Sequence, residues 1–141
     1  MNKIAVVYWS GTGNTEAMAK AIVEGAKKNG GDADLIFCTD FKAEMMKDYY
    51  GIAFGCPSMG AEVLEEIDFD PMWQECKKSI GGKRIALFGS YGWGDGEWMR
   101  NWADDASGSG ANMVCDFVIA NEEPNAEAIA ECEKLAAALI A

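Results

Sequence analysis

The chain has 141 residues and a mass of 15.2 kDa, enough for one domain, residues 1–141, that buries about 70% of the surface its unfolded form exposes. Half of its residues are apolar, which excludes a disordered chain. Twenty-three acidic side chains against twelve basic ones, with no histidine and a net charge of -11, exclude nucleic acid and anionic membrane as partners and favour a partner with a basic face.

The opening MNKIAVVYWSG has too short an apolar run for a signal peptide. It leads into a buried strand, Lys3 to Tyr8, rich in branched residues. No later run approaches membrane-spanning length, so a cytoplasmic location is expected. From Asn14 to Asn29 the positions Met18, Ala21, Ile22, Gly25 and Ala26 form the core stripe of an amphipathic helix, which Asn29-Gly30-Gly31 ends. A second strand is predicted at Ala33–Cys38, a short, poorly formed helix at Asp40–Met46 and a third strand at Tyr49–Cys56. Then come a helix at Pro71–Ser79, a fourth strand at Arg84–Ser90, a helix at Glu97–Ala106 and a fifth strand at Asn112–Ala120. The last helix is predicted to start at the cap Asn125 and to run to Ile140. Alternating strands and helices imply an α/β fold: a three-layer, doubly wound parallel sheet of five strands.

The five cysteines form no C-x-x-C pair, and without histidine neither zinc nor an iron–sulfur cluster has sequence support. They are expected to be reduced, mostly buried thiols. In a doubly wound sheet, ligands sit beyond the carboxyl ends of the strands. The segments there are WSGTGNT, PSMGAE, SYGWGDGEW and NEEPN. The first has Gly13-Asn14-Thr15 where a Walker loop needs Gly-Lys-Ser or Gly-Lys-Thr, which removes a nucleotide triphosphatase. Glu16 stands where a dinucleotide fingerprint has its third glycine, although Asp40 keeps that reading open. What remains is a set of hydroxyls, amides and backbone N–H groups at a helix N-terminus, suited to one terminal phosphomonoester. In the third segment, glycines surround Trp93 outside any periodic element, which makes its indole a ligand platform. Trp98 and Trp102, four apart on the next helix, are expected to be packing residues.

Taken in order, YWSGTGNTE, GCPSMG, LFGSYGWGDGEWM and NEEP resemble the short-chain flavodoxins, and in particular those of anaerobic clostridial-type bacteria. The resemblance spans essentially the whole chain and implies the flavodoxin-like strand order 2-1-3-4-5 with non-covalently bound FMN. It matches Ser10, Thr12, Gly13, Asn14 and Thr15 to a phosphate loop hinged at Gly11, and Ser90 to a residue near the phosphate and ribityl chain. It places Met59 on the inner flavin face and Trp93 on the outer, Glu62 on flavin N3–H, and the backbone of Gly92 and Asp95 at the pyrimidine edge. Pro57, Ser58, Gly60, Ala61, Tyr91, Gly94 and Asn121 complete the implied cofactor-binding set.

The resemblance also implies a monomeric electron carrier serving ferredoxin-type oxidoreductases, with no substrate of its own; the acids Glu62, Glu65, Glu66, Asp68, Asp95 and Glu97 beside the implied flavin predict a low potential and movement between semiquinone and hydroquinone. An FMN reductase drawing hydride from a nicotinamide is the alternative; Trp93 covers the face it would need, and no basic cluster is evident for NADPH. Relatives often carry an acid where this chain has Ala61. In Met59-Gly60-Ala61-Glu62 a type II turn needs positive φ at Ala61 and type II′ needs it at Gly60, so the sequence biases the turn to II′, which the resemblance implies would favour the neutral semiquinone. The run Glu62 to Asp70 is expected to be either a solvated face or a docking surface.

Overall fold

The structure, a computed structural model, describes residues 2–141. Its strands are β1 (Lys3–Tyr8), β2 (Asp32–Phe37), β3 (Gly51–Gly55), β4 (Arg84–Tyr91), β5 (Asn112–Met113) and β6 (Val118–Asn121). Its helices are α1 (Asn14–Lys28), α2 (Phe69–Lys77), α3 (Glu97–Gly108) and α4 (Ala126–Ile140). The strands run parallel in the order β2-β1-β3-β4-β5, with β6 also paired to β4.

Alternation along the strands divides the core between the two faces of the sheet. Ile4 and Val6 of β1 point into a cluster with Met18, Ile22, Leu135 and Leu139 of α1 and α4. Ala5 and Val7 point to the other side, against Phe69, Trp73, Trp98 and Trp102 of α2 and α3. Trp73 meets Phe54 and Trp102 edge-on at 5.3 and 5.7 Å, the geometry that ring quadrupoles favour. Trp98 and Trp102 are thus packing residues, as their spacing indicates. Because β3 is buried along its whole length, it can carry only small and apolar side chains.

Helix ends follow their local chemistry. Gly31 N–H donates to Ala26 O at 2.9 Å and Gly30 N–H to Lys27 O at 3.2 Å, with Gly30 at φ 85; these are the two bonds of a Schellman stop. At the start of α4, Asn125 Oδ1 accepts from Ala128 N–H at 2.9 Å, the expected cap. All five thiols are free, four of them buried and Cys115 partly so.

Two elements differ from the sequence reading. The fifth strand is broken: between the pairs Ile85↔Met113 and Phe88↔Val118, β4 advances three residues and its partner five. The surplus residues loop out where Asp116, a charged and exposed side chain, interrupts the apolar run on an edge strand. In place of a short helix at Asp40–Met46, two 3₁₀ turns span Cys38–Asp40 and Ala43–Asp48.

Candidate functional site

The four loops beyond the carboxyl ends of β1, β3, β4 and β6 meet around a cleft of 480 Å³. Its lining includes Thr12, Asn14, Pro57, Ser58, Ser90 and Tyr91, joined by Gly92, Glu122 and Glu123. Backbone bonds hold the loops together: Ser58 N–H donates to Ser90 O at 2.9 Å and Glu122 N–H to Tyr91 O at 2.7 Å.

The first loop turns into α1 at Gly13, whose φ of 96 suits glycine. No side chain caps this helix at Gly13. Instead Ser10 Oγ accepts from the N–H groups of Gly13 and Glu16 at 3.1 and 3.3 Å, drawing the loop into a ring. Gly11 packs beside the Trp9 indole. Thr12 is exposed, its Oγ1 3.5 Å from Asn14 N. Thr15 is only 1% exposed and Ser90 4%; their hydroxyls lie 2.9 Å apart, and Ser90 N–H donates to Thr15 Oγ1 at 3.3 Å. Of the matched hydroxyls, Thr12 and Ser90 line the cleft, whereas Ser10 is turned to its own loop and Thr15 ties α1 to β4.

The second loop is a tight hairpin. Glu62 N–H donates to Met59 O at 2.8 Å and Met59 N–H to Val63 O at 3.0 Å, while neither Gly60 nor Ala61 has positive φ. This is a type I turn closed by a left-handed residue, so the expected II′ geometry at Gly60 is not what forms. Positive φ falls on Glu62, at 52, a position glycine usually occupies and a cost for a side chain this long. The hairpin delivers the Glu62 carboxyl against Gly94, itself at φ 85, where a Cβ would stand 2.0 Å from Glu62 Oε1.

Glu62 Oε1 is buried and has no hydrogen-bond partner among the described residues. Desolvation, then the Glu97 and Asp95 carboxyls beside it, raise its pKa above the ordinary carboxylate value, which the nearby Asp95 backbone N–H only partly offsets. Met59 is half-buried, and Gly60 and Ala61 are exposed at the tip. Next to this hairpin Trp93 is 60% exposed. Arg100, on the first turn of α3, pins the tryptophan loop: its Nη1 donates to Asp95 O at 2.9 Å and its Nη2 to Asp95 Oδ1 at 3.0 Å. Asn121 is exposed at the end of β6 and lines a neighbouring cavity instead of the cleft.

Arg100, Glu122 and Glu123 were not singled out by sequence reasoning as site residues, and Glu65 only as one of the acids near the implied flavin. Glu65 is buried within a run expected to be a solvated face or a docking surface, both of them exposed. Its Oε1 accepts from Asp68 and Phe69 N–H at 2.7 and 2.8 Å and its Oε2 from Ile67 N–H at 2.9 Å. The side chain thus caps α2 from outside, a role signalled by an acid a few residues before an apolar helix start. Burial pushes its carboxyl up, but the three N–H bonds outweigh this and hold it below the ordinary range. For Arg100 the signal is a lone base beside a loop of acids and glycines.

The profile of the Flavodoxin family matches residues 6–135. The chain belongs to the flavodoxin family. It is 44% identical to the flavodoxin of Clostridium beijerinckii over 127 residues, 90% of this chain and 91% of that one. With the flavodoxin of Megasphaera elsdenii it shares 39% identity over 132 residues, 94% of each chain. The solution structure of two-electron reduced Megasphaera elsdenii flavodoxin superposes with a TM-score of 0.90, covering 97% of this chain and 98% of that one. A flavodoxin from the domain Archaea, 30% identical, gives 0.84 over 98% and 96%. FMN is the cofactor that goes with the family, and electron carriage between redox partners its role.

Proposed function

We propose that this flavodoxin is a low-potential one-electron carrier, monomeric and cytoplasmic, which holds FMN non-covalently in the four-loop cleft and cycles mainly between its one-electron-reduced and fully reduced forms. It has no substrate of its own and passes electrons to ferredoxin-type oxidoreductases through a basic face on the partner. No helix among the described residues is long and apolar enough to cross a membrane.

The single observation that carries the reading is Glu62 Oε1. A strained backbone presents a buried carboxylate oxygen with no hydrogen-bond partner among the described residues, and flavin N3–H is a donor of the right kind. The cleft lined by Thr12, Asn14, Ser58 and Ser90 fits the same group. Thr12, Asn14 and the start of α1 would hold the phosphate with uncharged donors and the helix dipole; Ser58 and Ser90 would reach the ribityl hydroxyls. Met59 and exposed Trp93 would enclose the ring and exclude water. When bound, FMN supplies the exchange of single electrons, and the protein sets its energy.

Acids surround that position. Asp95 is paired with Arg100 at 3.0 Å and Glu65 is satisfied by three N–H groups, whereas Glu62, Glu66, Asp68 and Glu97 have no cation within ion-pair distance among the described residues. One carboxylate about 10 Å from an added negative charge costs roughly 0.4 to 1.7 kcal/mol as the effective dielectric falls from about 80 to 20. With ~59 mV per 1.4 kcal/mol for one electron, several such charges lower the potential by roughly a hundred millivolts.

Titration of cofactor-free protein with FMN and riboflavin, followed by stepwise dithionite reduction of the FMN complex, tests this reading. Tight FMN binding, weaker riboflavin binding and a stable one-electron stage are expected. Colourless protein that takes up neither, or rapid oxidation of NADH or NADPH by the loaded protein, overturns it.

A further inference from the structure

Ile67 is 81% exposed, more than any other large apolar side chain among the described residues. Its backbone is fixed. Ile67 N–H donates to Glu65 Oε2, and the next two N–H groups donate to Glu65 Oε1, so one buried carboxylate holds the isoleucine at the crest of its loop. A side chain presented this rigidly loses little ordering entropy when something covers it. Glu66 and Asp68 on either side are exposed. Neither they nor Asp70 has an ion-pair partner among the described residues.

Beside the crest runs a groove of 480 Å³ between the 3₁₀ turns after β2 and the first half of α2. Phe41, Pro71 and Met72 contribute its apolar lining, and Glu44, Asp68 and Glu75 its carboxylates; Ile67 forms a wall, and Lys42 is the one cation on it. An apolar trough with an acidic rim suits the stem and head of a lysine or arginine side chain.

We propose that Ile67 and this groove anchor the redox partner: Ile67 enters an apolar depression on a basic protein, and a lysine or arginine from the rim of that depression lies along the groove. The proposal rests on the carrier reading and names the partner's surface. It assigns different work to the two kinds of group. The acids set the encounter rate and its salt dependence, and the isoleucine sets the lifetime of the complex.

The test uses FMN-loaded protein, reduced with dithionite and mixed in a stopped-flow instrument with a ferredoxin–NADP reductase that has a basic docking face, or with a neutral benzoquinone. Ile67→Ser is expected to slow transfer to the reductase about tenfold with the ionic-strength slope unchanged. Ile67→Leu is expected to keep the rate within about twofold, and Asp68→Asn to flatten the salt slope. Quinone oxidation and FMN affinity should be the same in both Ile67 variants as in the wild type. A wild-type protein that reacts with the reductase at a rate Ile67→Ser leaves unchanged overturns the anchor alone. Slowed transfer accompanied by slowed quinone oxidation or weakened FMN binding also overturns it, because the residue would then act through the cofactor cleft. A wild-type protein that transfers nothing to the reductase overturns the carrier reading and the anchor with it.

Discussion

The two edges of the sheet treat their polar groups in opposite ways. At the amino edge the chain closes on itself. Arg84 Nη2 donates to the carbonyls of Ala138, Leu139 and Ala141 at 2.9, 3.2 and 3.1 Å, and its guanidinium lies 4.7 Å over the Tyr50 ring. Tyr50 OH also donates to Ala141 O at 2.7 Å, and Lys83 Nζ donates to Tyr49 O. The orphan at that edge is Arg84 Nε, on a group otherwise well bonded. At the carboxyl edge the orphan is a carboxylate oxygen of Glu62, a far costlier group to leave unpaired. Backbone strain divides in the same way: positive φ falls on Gly30, Gly82 and Gly110 near the amino edge, but on Glu62 and Glu122 as well as glycines at the other. One edge spends its polar groups on closing the chain; the other leaves a carboxylate oxygen without a partner among the described residues.

The largest expected effect lies where the carboxyl edge is finished. Glu65→Ala deprives three backbone N–H groups of their acceptor and should cost about 3 kcal/mol in urea unfolding, with weaker FMN binding as the hairpin loosens. Because the folded pKa of Glu65 is depressed, the stability it provides is complete above the unfolded value near ~4.3 and is lost as the pH falls through the folded value. The wild type should therefore lose stability below about pH 4 more steeply than the variant. Arg84→Met, at the opposite edge, should cost about 2 kcal/mol while leaving FMN affinity unchanged. Equal loss of affinity in both variants would dissolve the contrast between the edges.

Glu62→Gln sharpens the contrast by separating cofactor-free from loaded protein. The folded pKa of Glu62 is raised, so its contribution to stability is present below about pH 4.3 and is lost as the pH rises through the folded value. At neutral pH the ionised group works against the cofactor-free fold. The variant should melt higher without FMN and yet bind FMN about tenfold more weakly, having exchanged a charged acceptor for a neutral one. Wild-type affinity should fall as the pH drops through the raised pKa of Glu62. Fluorescence titration across pH 4 to 8 reads both, and an affinity indifferent to pH and substitution would remove Glu62 from the site.

Most of this architecture was legible because parallel strands buried on both faces must be written in branched apolar residues, as KIAVVY and RIALFGS are. The chain order of elements, the core stripe of α1 and the Asn125 cap followed from local chemistry alone. Tertiary placement was not legible. Asp116 breaks the edge strand where an apolar run promises continuity, and Glu65 is buried inside a run whose composition says solvent. The hairpin at Met59 shows the limit most clearly. A rule that assigns positive φ to glycine picks Gly60, yet the structure places it on Glu62, where the strain delivers a carboxylate to Gly94.

That inversion supplies the smallest and sharpest test, two substitutions to glycine at adjacent positions. Ala61 sits at negative φ in a type I turn it suits. Ala61→Gly gains nothing in the fold and adds freedom to the unfolded chain, so it should destabilise the cofactor-free protein by about 0.5 kcal/mol. Glu62→Gly relieves a left-handed residue and withdraws an unpaired carboxylate, so it should stabilise that same state. Opposite signs one residue apart cannot come from a general loosening of the loop. They follow only if the hairpin places its strain on Glu62 and not on its tip, and a shift of the same sign in both variants would show that the turn carries no strain at that residue.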